Sequence, residues 1–131
     1  MFRNLLLILL LLVVTAPELS ASEFSPETPE EEIFIDGVPA AIRSQAISAN
    51  NQGAEFLAQK QYDSAITSFS QALAIDPTYA LARHNLGIAY YRQGLSLWRT
   101  DQKEEAKDSF RKALEADSSN PQIQRAKQYL R

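Results

Sequence analysis

Gly53 and Gly87 stand 34 residues apart, and each is followed three residues later by an aromatic, Phe56 or Tyr90. The second half of each stretch repeats too: Ala65, Phe69 and Ala72 are spaced four then three, as are Ala106, Phe110 and Ala113. A chain with such a period builds one small unit and stacks copies of it, because no unit can cover its own apolar face. The four-three spacing keeps these residues on one face of a helix. Glycine and alanine remove bulk where two helices approach, and Phe56, Tyr90, Phe69 and Phe110 fill the space beside them. Pro77 follows the first such helix and ends it, since its ring cannot continue one.

This pattern resembles the tetratricopeptide repeat. Residues 46–79 carry the small residue at Gly53, the aromatic at Phe56, Tyr62 at the head of the second helix, then Ala65, Phe69, Ala72, Leu73 and Pro77. Residues 80–118 carry Leu86, Gly87, Tyr90, Gly94, Ala106, Phe110, Ala113 and Leu114. Ser118 stands where the family's proline would fall, and Gly87 to Ala106 spans 19 residues against 12 from Gly53 to Ala65. The resemblance implies an all-α solenoid of antiparallel helical hairpins. About five helices are expected, over 39–59, 62–75, 79–98, 102–116 and from Asn120 to the end. Ile42, Ala46, Ala49, Gly53 and Phe56 are expected on the inner face of the first. The last, capped by Asn120 with Pro121 at its first position and Ile123, Ala126 and Leu130 inward, would cover the terminal apolar face.

The seven extra residues of the second unit are nearly two helical turns. They fit if each helix of that hairpin gains about one turn, with Asp101 and Glu104 forming a capping box. The hairpin tip would then project and carry Leu97 and Trp98. These two are either an apolar contact for a partner or membrane surface, or extra core with Trp98 folded back.

The chain has no cysteine and a single histidine, His84, so thiolate metal sites, disulfides and His-rich zinc sites are excluded. No glycine-rich phosphate loop or Ser/His/Asp set is present. No cofactor, no metal, no enzyme activity and no nucleic-acid partner are expected.

Arg3 followed by the apolar run 5–14 reads as a secretory signal over residues 1–22, cleaved near Ala21 or Ser22, or as an uncleaved membrane anchor. The run is well short of the ~20 residues a spanning helix needs. Either way the repeats are exported, to a periplasm, a lumen or the extracellular space. Export without cysteine fits a bacterial source better than an animal one. Residues 23–38 are acidic and contain Pro26 and Pro29, which reads as a disordered linker before a repeat domain over 39–131. That linker is either a solvated spacer or a segment that folds back on the basic repeat body. Within it Ile33, Phe34 and Ile35 precede an Asp36-Gly37 turn signal and would either pack on the first helix as a hydrophobic staple or lie in the groove as a plug.

By the resemblance, the first helix of each unit lines a concave groove. Its positions fall on Ile47, Asn50, Ala54 and Leu57, then on Leu81, His84, Asn85, Ile88, Tyr91 and Arg92. This mixture suits an extended peptide or a helix of a partner protein. Relatives that clamp an acidic C-terminal peptide use lysines and asparagines, and here Asn50 and Ala54 replace two of those groups. The implied function is an exported adaptor or assembly factor. A self-associating structural module and a membrane-anchored assembly factor of an envelope or photosynthetic complex are the alternatives.

Overall fold

Small residues and rings at helical spacing produce helical hairpins. The computed structural model describes residues 33–35 and 37–131. A short hairpin comes first: β1 (Phe34–Ile35) pairs antiparallel with β2 (Val38–Pro39), and Gly37 between them adopts φ 79°, the left-handed region that glycine enters freely. Four long helices follow: α1 (Ala40–Ala58), α2 (Tyr62–Ile75), α3 (Ala80–Arg99) and α4 (Lys103–Ala116). One α-helical turn, α5 (Pro121–Gln124), continues into a 3-10 segment, Arg125–Tyr129. The helices pack as two antiparallel hairpins, α1 with α2 and α3 with α4, and α3 also lies against α2.

The packing rests on two rings. An added Cβ on Gly53 would stand 2.6 Å from Phe69 Cε1, and one on Gly94 would stand 2.7 Å from Phe110 Cε1. Phe69 and Phe110 are fully buried, together with Ala65, Ala72, Ala106 and Ala113. Gly94, not Gly87, is therefore the counterpart of Gly53. Gly87 has a different neighbour: its missing side chain leaves room for Ile123 Cδ1, 2.7 Å from where a Cβ would be.

The structural repeat is thus 41 residues long. Phe110 follows Phe69 by that interval, and so do Ala106 and Ala65, Ala113 and Ala72, and Asp117 and Asp76. The hairpin tips obey it as well. The amides of Lys60 and Gln61 donate to Leu57 O and Phe56 O, and those of Asp101 and Gln102 donate to Trp98 O and Leu97 O. Both tips are Schellman turns with a non-glycine residue in the left-handed region, Lys60 at φ 61° and Asp101 at φ 65°.

Several expectations are corrected by this arrangement. The second hairpin carries no seven-residue addition relative to the first: α2 and α4 both have 14 residues, α1 and α3 have 19 and 20, and Gly94 to Ala106 spans 12 residues just as Gly53 to Ala65 does, so the excess arises only when Gly87 is taken as the counterpart of Gly53. Asp101 does not cap α4; it sits in the left-handed turn position, and the N-cap Gln102 makes no side-chain bond. Ile42 is 39% exposed, and Arg43 is buried in its place. Ile33 is 70% exposed and does not pack on α1, although its carbonyl accepts from Ala40 N at 2.6 Å. The terminal element is helical for one turn only and then tightens to 3-10, which still buries Ile123 and Ala126. Asn120 does cap it, its Oδ1 accepting from Gln122 N at 2.8 Å. The signal or anchor segment 1–22 and most of the acidic linker 23–38 lie outside the described residues; the linker's last residues include β1 and the first residue of β2.

Gly53→Val puts atoms where the Phe69 ring lies and is expected to lower unfolding free energy by about 1–3 kcal/mol. Ala54→Val, one residue on and exposed, should stay within about 0.5 kcal/mol. Urea denaturation followed by circular dichroism compares the two.

Candidate functional site

The outward faces of α1 and α3 run side by side. Ile47, Asn50, Ala54 and Leu57 form a stripe at helical spacing on α1; Leu81, Asn85, Ile88 and Arg92 form one on α3. Asn85 Nδ2 donates to Asn50 Oδ1 at 2.9 Å and joins the stripes. Lateral neighbours across this seam are therefore 35 residues apart, whereas structural equivalents are 41 apart. At ~1.5 Å per residue, α3 is shifted along α1 by about 9 Å. The same shift sets Gln93 against the first tip, where its Nε2 donates to Asp63 Oδ1 at 2.6 Å.

The expected groove residues divide by exposure. Ile47 is 39% and Leu81 50% exposed, and Ala54 and Arg92 are exposed too. Leu57, His84, Asn85 and Ile88 are half-buried. Asn50 and Tyr91 are buried. Asn50 holds Asn85, and Tyr91 packs its ring 5.8 Å from that of Phe110. Burial, and then Tyr129, push the Tyr91 hydroxyl above its ordinary value, with Arg125 opposing. His84 Nδ1 lies 2.8 Å from Asp117 Oδ2, so its imidazole is engaged within the second hairpin.

Leu97 and Trp98 do not stand free at a projecting tip. Leu97 packs on the second-hairpin core. Trp98 meets Tyr129 edge-on at 5.0 Å and Phe110 at 6.5 Å, with Lys103 Nζ 4.4 Å from its ring centre. Tyr129 in turn stacks on Phe110 at 4.6 Å. The reading in which Trp98 folds back as core describes these contacts.

Sequence reasoning missed a pair of carboxylates. Asp76 Oδ1 accepts from the amide (3.0 Å) and hydroxyl (2.7 Å) of Thr78, while Oδ2 lies 2.8 Å from Arg43 Nη1. Asp117 repeats this with the amide (3.2 Å) and hydroxyl (2.7 Å) of Ser119 and with His84. Each aspartate shapes the turn after a second helix and ties it to a side chain on the preceding first helix, Arg43 or His84. The Thr78 hydroxyl does most to hold the Asp76 carboxyl below its ordinary 3.8; burial opposes, and the Thr78 amide and Arg43 assist. The Ser119 hydroxyl leads for Asp117, against burial, with His84 and the Ser119 amide assisting. The 41-residue recurrence of Asp-x-Thr and Asp-x-Ser was the signal for these residues. A third polar link joins Ser109 Oγ to Gln93 Oε1 at 2.9 Å.

Among the described residues no group of three or more His, Cys, Asp or Glu side chains could hold a metal ion, and no helix is long and apolar enough to cross a membrane.

Comparison with known proteins agrees with the hairpins. The TPR repeat profile matches residues 53–94, and the tetratricopeptide repeat profile matches residues 88–120. The small glutamine-rich tetratricopeptide repeat-containing protein 2 of Saccharomyces cerevisiae is 32% identical over 92 residues, which cover 68% of this chain. The match spans 25% of that protein's length. A solved structure of the first TPR of Spaghetti (RPAP3) bound to the HSP90 peptide SRMEEVD is 19% identical. It matches 67% of this chain and 94% of its own, with a TM-score of 0.35. The NMR structure of the first TPR domain of human RPAP3 gives the same identity and coverage, with a TM-score of 0.34.

Both aspartates have lowered pKa values, so their contribution to stability is complete above pH 3.8 and is lost as the pH falls below it. Asp76→Asn faces the buried Arg43 guanidinium with an amide. It should lower the urea midpoint at neutral pH and flatten the acid limb below pH 3.8, read from urea midpoints between pH 2 and 7.

Proposed function

Because the chain belongs to the tetratricopeptide repeat family, we propose that it is a protein-binding adaptor or assembly factor that holds a peptide or helix of a partner on the face formed by α1 and α3. The observation that carries this reading is the exposure of Ile47 and Leu81, two large apolar side chains on adjacent helices. Exposed apolar residues that line up across a seam favour contact with another apolar surface over contact with water. Ala54 and Ile88 extend the apolar strip, and Arg92 adds a positive charge at its edge. None of the ten candidate groove residues is acidic. The adaptor does no chemistry of its own.

Export is part of the proposal and rests on Arg3 and the apolar run 5–14. Fractionation with mass measurement of the mature chain tests it: a soluble exported chain beginning near Ala21 or Ser22 is expected, and an uncleaved membrane-bound chain would favour the anchored alternative. Light scattering separates the adaptor from a self-associating module, the adaptor being a monomer.

Asn50, Asn85 and Tyr91 make internal contacts, so substituting them would disturb packing as well as binding. Ile47→Glu with Leu81→Glu is the cleaner probe. Exposed positions should cost at most about 0.5 kcal/mol each in stability. Losing two central apolar contacts should weaken partner binding by about 2 kcal/mol or more, roughly thirtyfold. Affinity capture with the full chain, alongside circular dichroism, checks this. Unchanged capture with unchanged helicity would remove the groove from consideration.

A further inference from the structure

His84 and Gly87 stand about one turn apart on α3, and each receives part of the chain that leaves α4. His84 meets Asp117 at 2.8 Å; the space at Gly87 takes Ile123 Cδ1, with Asp117 Cβ beside it. The other Asp117 oxygen holds Ser119 and so fixes the turn that launches the terminal segment. That segment lays Ile123, Ala126, Tyr129 and Leu130 on the second-hairpin core. In the first hairpin the equivalent pair is Arg43–Asp76, with side chains 9% and 1% exposed, and Ala82 stands where Ile123 does. Arginine keeps its charge at any working pH, whereas histidine changes charge between pH 5 and 8.

We propose that the His84–Asp117 pair is a pH-sensitive latch on the terminal segment, closed by an imidazolium–carboxylate attraction and weakened when the imidazole loses its proton. Deprotonation leaves a neutral Nδ1–H hydrogen bond to the carboxylate and removes the charge–charge attraction. The other charged groups facing His84 are Arg83, Glu115 and Asp117. Arg83, on the same helix, donates through Nη2 to Pro77 O at 2.9 Å, and Glu115 comes from the end of α4; both line the same cleft as His84, Asp117, Ser118 and Ser119. Asp117 stays ionised, because the Ser119 hydroxyl and the other donors hold its carboxyl low. The sign follows: docking of residues 121–130 is tighter at pH 5.5 and looser at pH 7.5. The His84 side chain is 45% exposed, so solvent screening keeps the effect modest.

Native-state amide hydrogen exchange on the full chain, corrected for intrinsic exchange rates, tests the latch. Protection of the amides of residues 123–130 is expected to fall about two- to fivefold between pH 5.5 and 7.5. His84→Arg should hold protection at the low-pH level throughout, and His84→Gln, which keeps a neutral donor, at the high-pH level throughout. Arg43→His should create a new pH dependence in the first hairpin. Protection that does not change with pH in the unaltered chain, or an undiminished change in His84→Arg, would overturn the latch.

Discussion

Two phenylalanine rings occupy space that any side chain on Gly53 or Gly94 would need. Close approach at these points sets the separation of α1 from α2 and of α3 from α4, and the alanines above and below each ring keep the rest of the interface equally thin. Dispersion contacts at such distances fall off steeply with separation. Each hairpin is consequently a slim two-helix layer whose outer faces are available to the next layer. Neither hairpin can bury both faces alone, and that is why α3 packs on α2 and the terminal segment packs on α3 and α4.

The polar contacts act on top of that packing. Asp76 and Asp117 each bend the chain after a second helix and hold the bend to a side chain of the preceding first helix, Arg43 or His84. Gln93 reaches Asp63 on one hairpin and Ser109 on the other, tying neighbouring layers at a fixed height. Such hydrogen-bonded groups contribute only modestly to net stability, but leaving one of them unpaired in the seam would cost more. They favour one offset between layers that apolar contacts alone would tolerate losing.

The local code was legible where it depended on spacing within one helix. Ala65, Phe69 and Ala72, stopped by Pro77, marked α2 to the residue, and α1, α3 and α4 began and ended within a residue of expectation. What escaped was equivalence between helices. α3 carries two glycines: Gly87 serves Ile123 of the terminal segment, and Gly94 serves Phe110. Linear spacing favours the first as the partner of Gly53; the contacts select the second. Asp101 looked like a cap because aspartate commonly is one, but the turn needed a left-handed residue there, as it did at Lys60. The groove stripe was readable as a stripe. That Asn50 would be drawn into the seam was not, because it depends on how near α3 lies to α1, nor that Tyr91 would turn to Phe110 in the second-hairpin core, because it depends on the packing of α4 and the terminal segment.

The sliding of α3 along α1 has a consequence for whatever crosses them. A ligand lying perpendicular to the helices would meet Asn50 beside Asn85, two unlike places in the repeating unit. To touch like with like it must run aslant, climbing about two turns as it passes from the first hairpin to the second. On the proposed binding face a short straight strand would therefore engage one helix fully or both obliquely, and the slope itself would be a criterion for what fits there.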